Sequence, residues 1–456
     1  MKNNGVKSIL LIILIILSLY QTTRLWFDDL SDLNLFYNII NYNSEVKEQI
    51  QEDKVYFSTP EIMAIYSPAK EYLILKKTKK EFNDLFIDSI NILKAIFSKG
   101  EMLEEVVPKH KLWEKRSLLF KYPFLIDSNL LLKDLNVKNI NFDNEIDKFN
   151  EIIIIPATDI EEYVYVYLLN DNYFDDIKVY RIKTRNIKEI NKKLEESISA
   201  IEDNQALPNY MSSKNLGIKL FNNNVLLPQE DTIYTDVVYL KKPFYVDNEL
   251  DEKKLEEYIN GFFKDNIKWK IGEEYTDESV FVKYNNNGLI EYTNKDVQNK
   301  RDLSVVESYY LAEKFINIKD KRINEVEYYL SDYITESNKT TFYFSYKYND
   351  VNIIMSRDYM EEANMNTPME ITVVDGQVIS YKRVLLELDK YTKIPEKFNG
   401  DYTNVINKML QLYPEEKNIK NMFLGYLLDF RKENMKLNWV IVTDNIVFTE
   451  EKEIVN

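Results

Sequence analysis

The 456-residue chain contains no cysteine and a single histidine, His110. The first absence excludes disulfides, thiolate nucleophiles, zinc–thiolate sites and iron–sulfur clusters together. The second removes histidine-based triads, Cys–His pairs and multi-histidine metal sites. His110 stands in Pro108-Lys109-His110-Lys111, where neighbouring cations disfavour its protonation, and it reads as a surface residue rather than a general base. Glycine numbers only nine, too few for phosphate-cradling loops. Gly288 and Gly376 are accounted for as turn residues needing positive φ, outside any G-x-G-x-x-G or Walker pattern. Positive charge is also scarce: 59 Lys and Arg stand against 75 Asp and Glu, a formal net charge of -16. That balance argues against nucleic acid and against broad adhesion to an anionic membrane surface, and its plain reading is solubility.

What is present begins with length. The chain is about three times the ~150 residues of one domain, so two to four domains are expected. The stretch Val6 to Tyr20 carries no charge except Lys7. Alone it would span only ~23 Å, but continued to Phe27 it reaches ~33 Å, enough for a bilayer core of ~30 Å. Trp26 and Phe27 then sit at interfacial depth, and Ser18 to Phe27 offers no alanine for the A-x-A-like pattern of a signal-peptidase site. Lys2 and Lys7 precede this helix, whereas Asp28, Asp29 and Asp32 follow it. The lysines place the N-terminus in the cytoplasm, leaving the bulk of the chain outside the cytoplasmic membrane. Within the helix Ser18, Gln21 and Thr22 lie three and four residues apart on one face, suited to close polar contact with a partner helix.

The remainder reads as α+β. A first extracytoplasmic domain, 43–203, opens with a strand at Val55-Tyr56-Phe57. A helix follows through Phe82, Leu85, Phe86, Ile90, Leu93, Ile96 and Phe97 to a stop at Gly100. Strand Ile152–Ile155 precedes an alternating strand in which Val164, Val166 and Leu168 oppose a stripe of Tyr163, Tyr165 and Tyr167. That stripe suits equally a contact surface or the underside of a helix. A helix from Ile187 to Ile201 closes the domain.

A central domain, 206–300, and a C-terminal one, 301–456, show helix-then-antiparallel-strand units repeated about three times. Leu255, Tyr258, Ile259, Phe262 and Phe263 line one helix. Ser304 with Glu307 forms a capping box for a second, carrying Val305, Tyr309, Ala312 and Ile316. A third starts at Asp401 and carries Val405, Ile406, Met409 and Leu410. Hairpin tips are expected at Asn287-Gly288 and Asp375-Gly376.

No carboxylate pattern matches a known chemistry. Asp171, Asp175 and Asp176 cluster, but Tyr173 occupies a position where an EF-hand loop requires Asp or Asn. Glu101, Glu104 and Glu105 read as a solvated turn, and Lys76 to Lys80 as a solvated approach to the following helix. Catalytic, cofactor and metal sites are therefore expected to be absent. The rival reading is a carboxylate-dependent wall hydrolase, because two Asp or Glu residues suffice for glycoside hydrolysis. A ligand-sensing module is the third.

Several stretches in order resemble the YycH family of two-component-system regulatory proteins. They are Leu25-Trp26-Phe27, then Phe262-Phe263 with Trp269 and Gly288-Leu289-Ile290-Glu291-Tyr292, then Val374 to Arg383. The ending Phe423-Leu424-Gly425-Tyr426 with Trp439 is similar to both YycH and its partner family YycI. The resemblance implies a non-enzymatic regulator tethered by one helix. It implies action with a YycI-like protein on a YycG (WalK)-like sensor histidine kinase that controls cell-wall metabolism. It also implies that partners are contacted largely through transmembrane helices.

Overall fold

The computed structural model describes residues 56–455 except 69–70, 78, 104–111, 113–114, 138–147, 159–161, 171–176, 204–208, 214–219, 222–224, 229–233, 236–237, 248, 264–267, 297–301, 320–325, 391–395, 399 and 451–452. The expected membrane helix 6–27 with Ser18, Gln21 and Thr22, together with His110 and the Asp171, Asp175 and Asp176 cluster, lies outside the described residues. No helix among the described residues is long and apolar enough to cross a membrane.

Two large sheets organise the α+β fold. The first has nine strands, all paired antiparallel, in the order Glu101–Leu103, Ile177–Lys183, Tyr163–Leu169, Phe149–Ile155, Ser117–Ile126, Ile62–Ser67, Glu71–Leu75, Asn209–Ser212, Leu226–Pro228. Helices α1 (Lys80–Lys99), α2 (Ser128–Asp134) and α3 (Lys188–Glu202) belong to this part of the chain. The helical spacing of α1 buries Phe82, Leu85, Phe86, Ile90, Leu93, Ile96 and Phe97 as expected. Phe86 meets Phe120 at 5.9 Å and Phe97 meets Tyr180 edge-on at 5.8 Å, so α1 lies on the sheet. Gly100 ends the helix for a steric reason. Its φ is an ordinary -76°, but a Cβ there would stand 2.5 Å from the Ile96 carbonyl oxygen.

Period-two patterning works as expected in Tyr163–Leu169. Val164 and Val166 are fully buried and face Ile182 and Tyr180 across the ladder. The tyrosines take the opposite face, with ring centroids 6.2 and 6.3 Å apart and the Arg181 guanidinium 4.5 Å over Tyr163. Tyr163 and Tyr165 stay half-buried, while Tyr167 joins an apolar cluster with Ile153, Leu169 and Val179.

The second sheet has thirteen strands. From one edge run Trp269–Ile271, Glu274–Thr276, Val280–Tyr284, Leu289–Asn294, Gln377–Val384, Met369–Val374 and Lys339–Tyr348. Val351–Met355, Asn421–Leu428, Leu437–Val442, Ile446–Thr449 and Glu453–Val455 continue to the other edge. The thirteenth strand, Glu327–Glu336, pairs along one side of Lys339–Tyr348. Two strands share the other side of Lys339–Tyr348 end to end: Met369–Val374 pairs its first part and Val351–Met355 its last. The helix-and-hairpin units expected after residue 240 are thus present, but their strands merge into one continuous sheet.

Helices α4 (Glu252–Asn260) and α5 (Val305–Lys319) lie against this sheet through aromatic side chains. Tyr258 of α4 meets Phe262, just past the helix end, which packs on Tyr292 and Tyr381; from α5, Phe315 packs on Tyr381 and Tyr309 on Phe342. Helices α6 (Arg357–Ala363) and α7 (Tyr402–Leu412) follow, and α7 buries Val405, Ile406 and Met409. Both hairpin tips stand where expected. Asp375 and Gly376 both have positive φ, 50° and 80°, as a two-residue primed turn requires. Residues 285–288 form a longer loop in which Gly288 alone is left-handed, at 85°.

Several sequence expectations need correction. Phe57 stands in a turn, and the first strand starts at Ile62, after Pro60. In α5 the buried residue is Val306 rather than Val305, because Glu313 joins Tyr309, Ala312 and Ile316 on the inner face. Phe262 and Phe263 are buried as expected but lie past the end of α4 at Asn260.

Candidate functional site at the junction of the two sheets

The two sheets meet where α2 and α5 face each other, and buried carboxylates concentrate there. Asp134 ends α2 and is 3% exposed. Its Oδ1 accepts from the Phe57 backbone N–H at 3.2 Å and from the Tyr310 hydroxyl at 2.6 Å. Its Oδ2 accepts from the Ser58 N–H at 2.9 Å and from Ser58 Oγ at 2.5 Å. The turn at Phe57 and Ser58 is thereby fastened to α2 and, through Tyr310, to α5. Tyr122 adds a bond from its hydroxyl to the Ser58 carbonyl oxygen at 3.0 Å. Burial raises the pKa of Asp134, against the pull of those four donors, which favour the ionised form.

Three residues beyond Tyr310, about one turn along α5, Glu313 repeats the chemistry. It is 7% exposed; its Oε1 accepts from Tyr309 at 2.8 Å and its Oε2 from Tyr328 at 2.9 Å. Burial raises this carboxyl as well, opposed by the two tyrosine donors and by the Lys77 ammonium. Tyr309 is driven well above the ordinary tyrosine range by burial and by Glu313, so it stays a neutral donor.

Around these carboxylates the rings of Phe57, Phe124, Tyr309 and Tyr333 interlock. Phe57 lies 5.3 Å from Tyr309, 5.5 Å from Tyr333 and 5.8 Å from Phe124, mostly edge-on. Such pairs contribute ~0.5–1.5 kcal/mol each beyond their burial. A third contact fixes the strands themselves. Glu61 takes an ion pair from Lys347 at 3.6 Å and a hydrogen bond from Asn352 Nδ2 at 3.2 Å. At the far end of the junction the Ile419 N–H donates to the Leu220 carbonyl oxygen, and Phe221, Val225 and Leu227 enter a core with Met409, Met422 and Trp439.

Beside the aromatic group opens a cleft of about 860 Å³, lined from one side by Pro123, Leu125 and Asp127 and from the other by Ser331, Asp332 and Ile334. Deeper in the second sheet, Arg383 is 3% exposed, 5.7 Å over the Tyr346 ring, with Nη1 3.5 Å from the Tyr381 hydroxyl. Burial draws its pKa down to about 10, which still leaves it charged at neutral pH.

The chemistry of this junction is adhesive. Asp134 and Glu313 each have both oxygens engaged by donors, an arrangement that holds elements in register. Among the described residues no group of three or more His, Asp or Glu could hold a metal ion. Sequence reading missed Asp134, Glu313 and Arg383. A lone polar residue on an apolar helical or strand face was the available signal: Glu313 lies four residues after Tyr309 on the buried face of α5. The basic run resolves in part, with Lys76 paired to Asp350 at 3.7 Å. Glu101, expected in a solvated turn, lies on an edge strand and pairs with Arg181 at 2.6 Å.

No protein-family model matches the sequence, and no curated protein is detectably similar to it. The fold does have a solved counterpart. It is similar to the crystal structure of YycH from Bacillus subtilis, with a TM-score of 0.51 and 15% identity, over 86% of this chain and 95% of that one. An uncharacterized protein from Eubacterium rectale matches over 49% of this chain and 82% of its own at a TM-score of 0.29 and 10% identity, too distant to inform the fold. The chain therefore has a YycH-like fold.

Proposed function

We propose that the chain is a non-enzymatic regulator of a YycG-like sensor histidine kinase, anchored by the helix at 6–27 with its bulk outside the cytoplasmic membrane. It works by protein contact, together with a YycI-like protein, and thereby tunes cell-wall metabolism. The observation that carries this reading is the YycH-like fold across nearly the full length of the solved counterpart, joined to the ordered sequence features at Leu25-Trp26-Phe27 and Val374 to Arg383. The wall-hydrolase alternative would need a pair of carboxylates free to act in the cleft; Asp134 and Glu313 are buried and already hydrogen-bonded, and Asp127 and Asp332, which do line the cleft, each accept a backbone N–H at 2.8 Å.

The test replaces Ser18 and Gln21 by leucine in the full-length protein and measures co-purification with the kinase from membranes. Each polar contact between helices in lipid is worth ~0.6–2 kcal/mol, so association should weaken roughly three- to thirtyfold per contact while insertion persists. Unchanged association with unchanged signalling would remove the helix face from the reading. A chain recovered outside the membrane fraction would remove the anchor.

A further inference from the structure

A second cleft, of about 750 Å³, opens where the short 3-10 turn Thr184–Asn186 leads from the strand Ile177–Lys183 into α3. Its size falls within the ~300–1,000 Å³ of ordinary binding sites. The frame around it is pinned backbone. Asn191, buried on α3, clasps Ala157 with its side-chain amide: Nδ2 donates to the carbonyl oxygen at 2.9 Å and Oδ1 accepts from the N–H at 3.1 Å. The Thr184 N–H donates to the Glu162 carbonyl oxygen at 2.8 Å. These bonds hold α3, the turn and two strand ends in one arrangement around the opening.

The lining is polar, and its charge runs against that of the molecule. Ala157 brings the only wholly apolar side chain, so an apolar occupant has little to bury against. Lys183, Arg185, Lys188 and Lys192 line the cleft against the carboxylates of Glu162 and Glu195, in a chain of net charge -16. Glu195 is already taken by Arg116 at 2.6 Å, and Lys192 meets Glu196 at 3.5 Å in an exposed, weak pair. Among the described residues Arg185 and Lys188 meet no carboxylate, and the Lys183 ammonium stands 5.8 Å from the Tyr163 ring centroid, a contact that leaves its charge in place. Cations gathered in this way repel one another, and each gains from an anion that bridges them. The start of α3 adds to the effect, because Ile187 supplies no side-chain cap to the first N–H groups of the helix. The cations, rather than the helix end, give the cleft its sign.

We propose that this cleft binds a small phosphorylated solute, with Lys183, Arg185 and Lys188 neutralising more than one negative charge. Phosphate suits the site better than a single carboxylate, since its oxygens can take donors from several sides at once, and Arg185 offers the planar fork that matches them. Glu162 and the paired Glu195 bound the cleft and disfavour anions too large to stay clear of them. The site lies on the first sheet alone, and its occupancy is separate from the kinase contact proposed above.

The probe is inorganic tripolyphosphate, titrated calorimetrically into the full-length chain in detergent at low salt, with citrate and glucose as controls. Saturable binding is expected, weakening as salt is raised, and amides 188–190 should gain hydrogen-exchange protection. The Arg185→Gln, Lys188→Gln double variant, altered only at exposed positions, should bind about tenfold more weakly. Its comparison is Lys79→Gln, Lys80→Gln, which removes two exposed cations at the far end of α1, ~30 Å along the helix from Gly100 and the neighbouring Arg181. That variant should bind as the native chain does. No saturable binding at millimolar tripolyphosphate, an equal loss in both variants, or protection confined to other segments would overturn the proposal. Citrate bound as tightly as tripolyphosphate would overturn the choice of phosphate.

Discussion

Tyr310 on α5 donates its hydroxyl to Oδ1 of Asp134 at the end of α2, 2.6 Å across the junction between the sheets. The same carboxylate holds the Phe57–Ser58 turn, so one side chain ties three separate segments. Truncating either partner should therefore have unequal effects. Tyr310→Phe removes one donor and should cost about 1–2 kcal/mol, whereas Asp134→Ala leaves two backbone N–H groups and two hydroxyls without their acceptor and should cost ~3 kcal/mol or more. Urea unfolding of the full-length protein in detergent checks the order; equal midpoints for the two variants would contradict it.

Glu313 sets a pH dependence. Its folded pKa is raised by burial above the unfolded value, so the folded state holds the proton more tightly. Stability from this group is present below the unfolded pKa and is lost as pH rises through the folded one. Glu313→Gln removes the titration and keeps an acceptor for Tyr309. Unfolding midpoints at pH 5 and pH 7.5 should show the native protein gaining on the variant at the lower pH. Asp134 shifts in the same direction, but it is common to both proteins and cancels in the difference. A native-minus-variant difference in midpoint that stays constant, or moves in the variant's favour, from pH 7.5 to pH 5 would sink the assignment.

Two glycines separate steric from conformational strain. At Gly100 an added Cβ meets Ile96 O at 2.5 Å and Arg181 O at 3.0 Å, with φ in the ordinary range. At Gly376 φ is 80°. Gly100→Ala should cost about 1–3 kcal/mol by forcing α1 away from its neighbour strand. Gly376→Ala should cost ~1–2 kcal/mol through the left-handed backbone alone. Gly376→Asn should recover most of the second loss, because asparagine tolerates that conformation, and Gly100→Asn should recover none of the first. Thermal midpoints of the four variants decide it.

Trp439 is 1% exposed and donates Nε1–H to the Gly400 carbonyl oxygen at 2.8 Å, with Tyr402 edge-on at 6.0 Å. Trp439→Phe should lose the hydrogen bond and some volume, about 1–2 kcal/mol, and Trp439→Ala ~3–5 kcal/mol. Calorimetry of both, with an intact circular-dichroism spectrum as control, tests whether this side chain closes the core beneath α7.

Local rules made much of the fold legible. Helical spacing located α1, α3 and α7 to within a few residues, the Ser304–Glu307 box formed with Ser304 N–H donating to Glu307 Oε2 at 2.9 Å, and both glycine turns stand at loop tips. What failed was non-local. Glu327–Glu336 was missed because its burial is partial and irregular, and Ser117–Ile126 because a proline interrupts it. The merging of the strands into one sheet depends on pairs such as Tyr292 with Tyr381, which no neighbouring residue encodes. The junction was least legible of all. Asp134, Tyr310 and Ser58 meet only in three dimensions, and each looks unremarkable in its own segment.

The strand Val351–Met355 pairs in parallel with Asn421–Leu428, and that pairing has a consequence in time. Between the two lie α6, a hairpin and α7, so the earlier strand is made and then waits about 70 residues for its partner. At ~5–20 residues per second the delay is several seconds, far longer than hairpin formation on either side. Throughout it the sheet ends in an unfilled edge, and Phe221, Val225 and Leu227 lack Met422 and Trp439. The nascent chain therefore passes through an obligatory open stage, in which the first sheet and half of the second are built and the last strands decide whether the molecule closes or sticks to its neighbours.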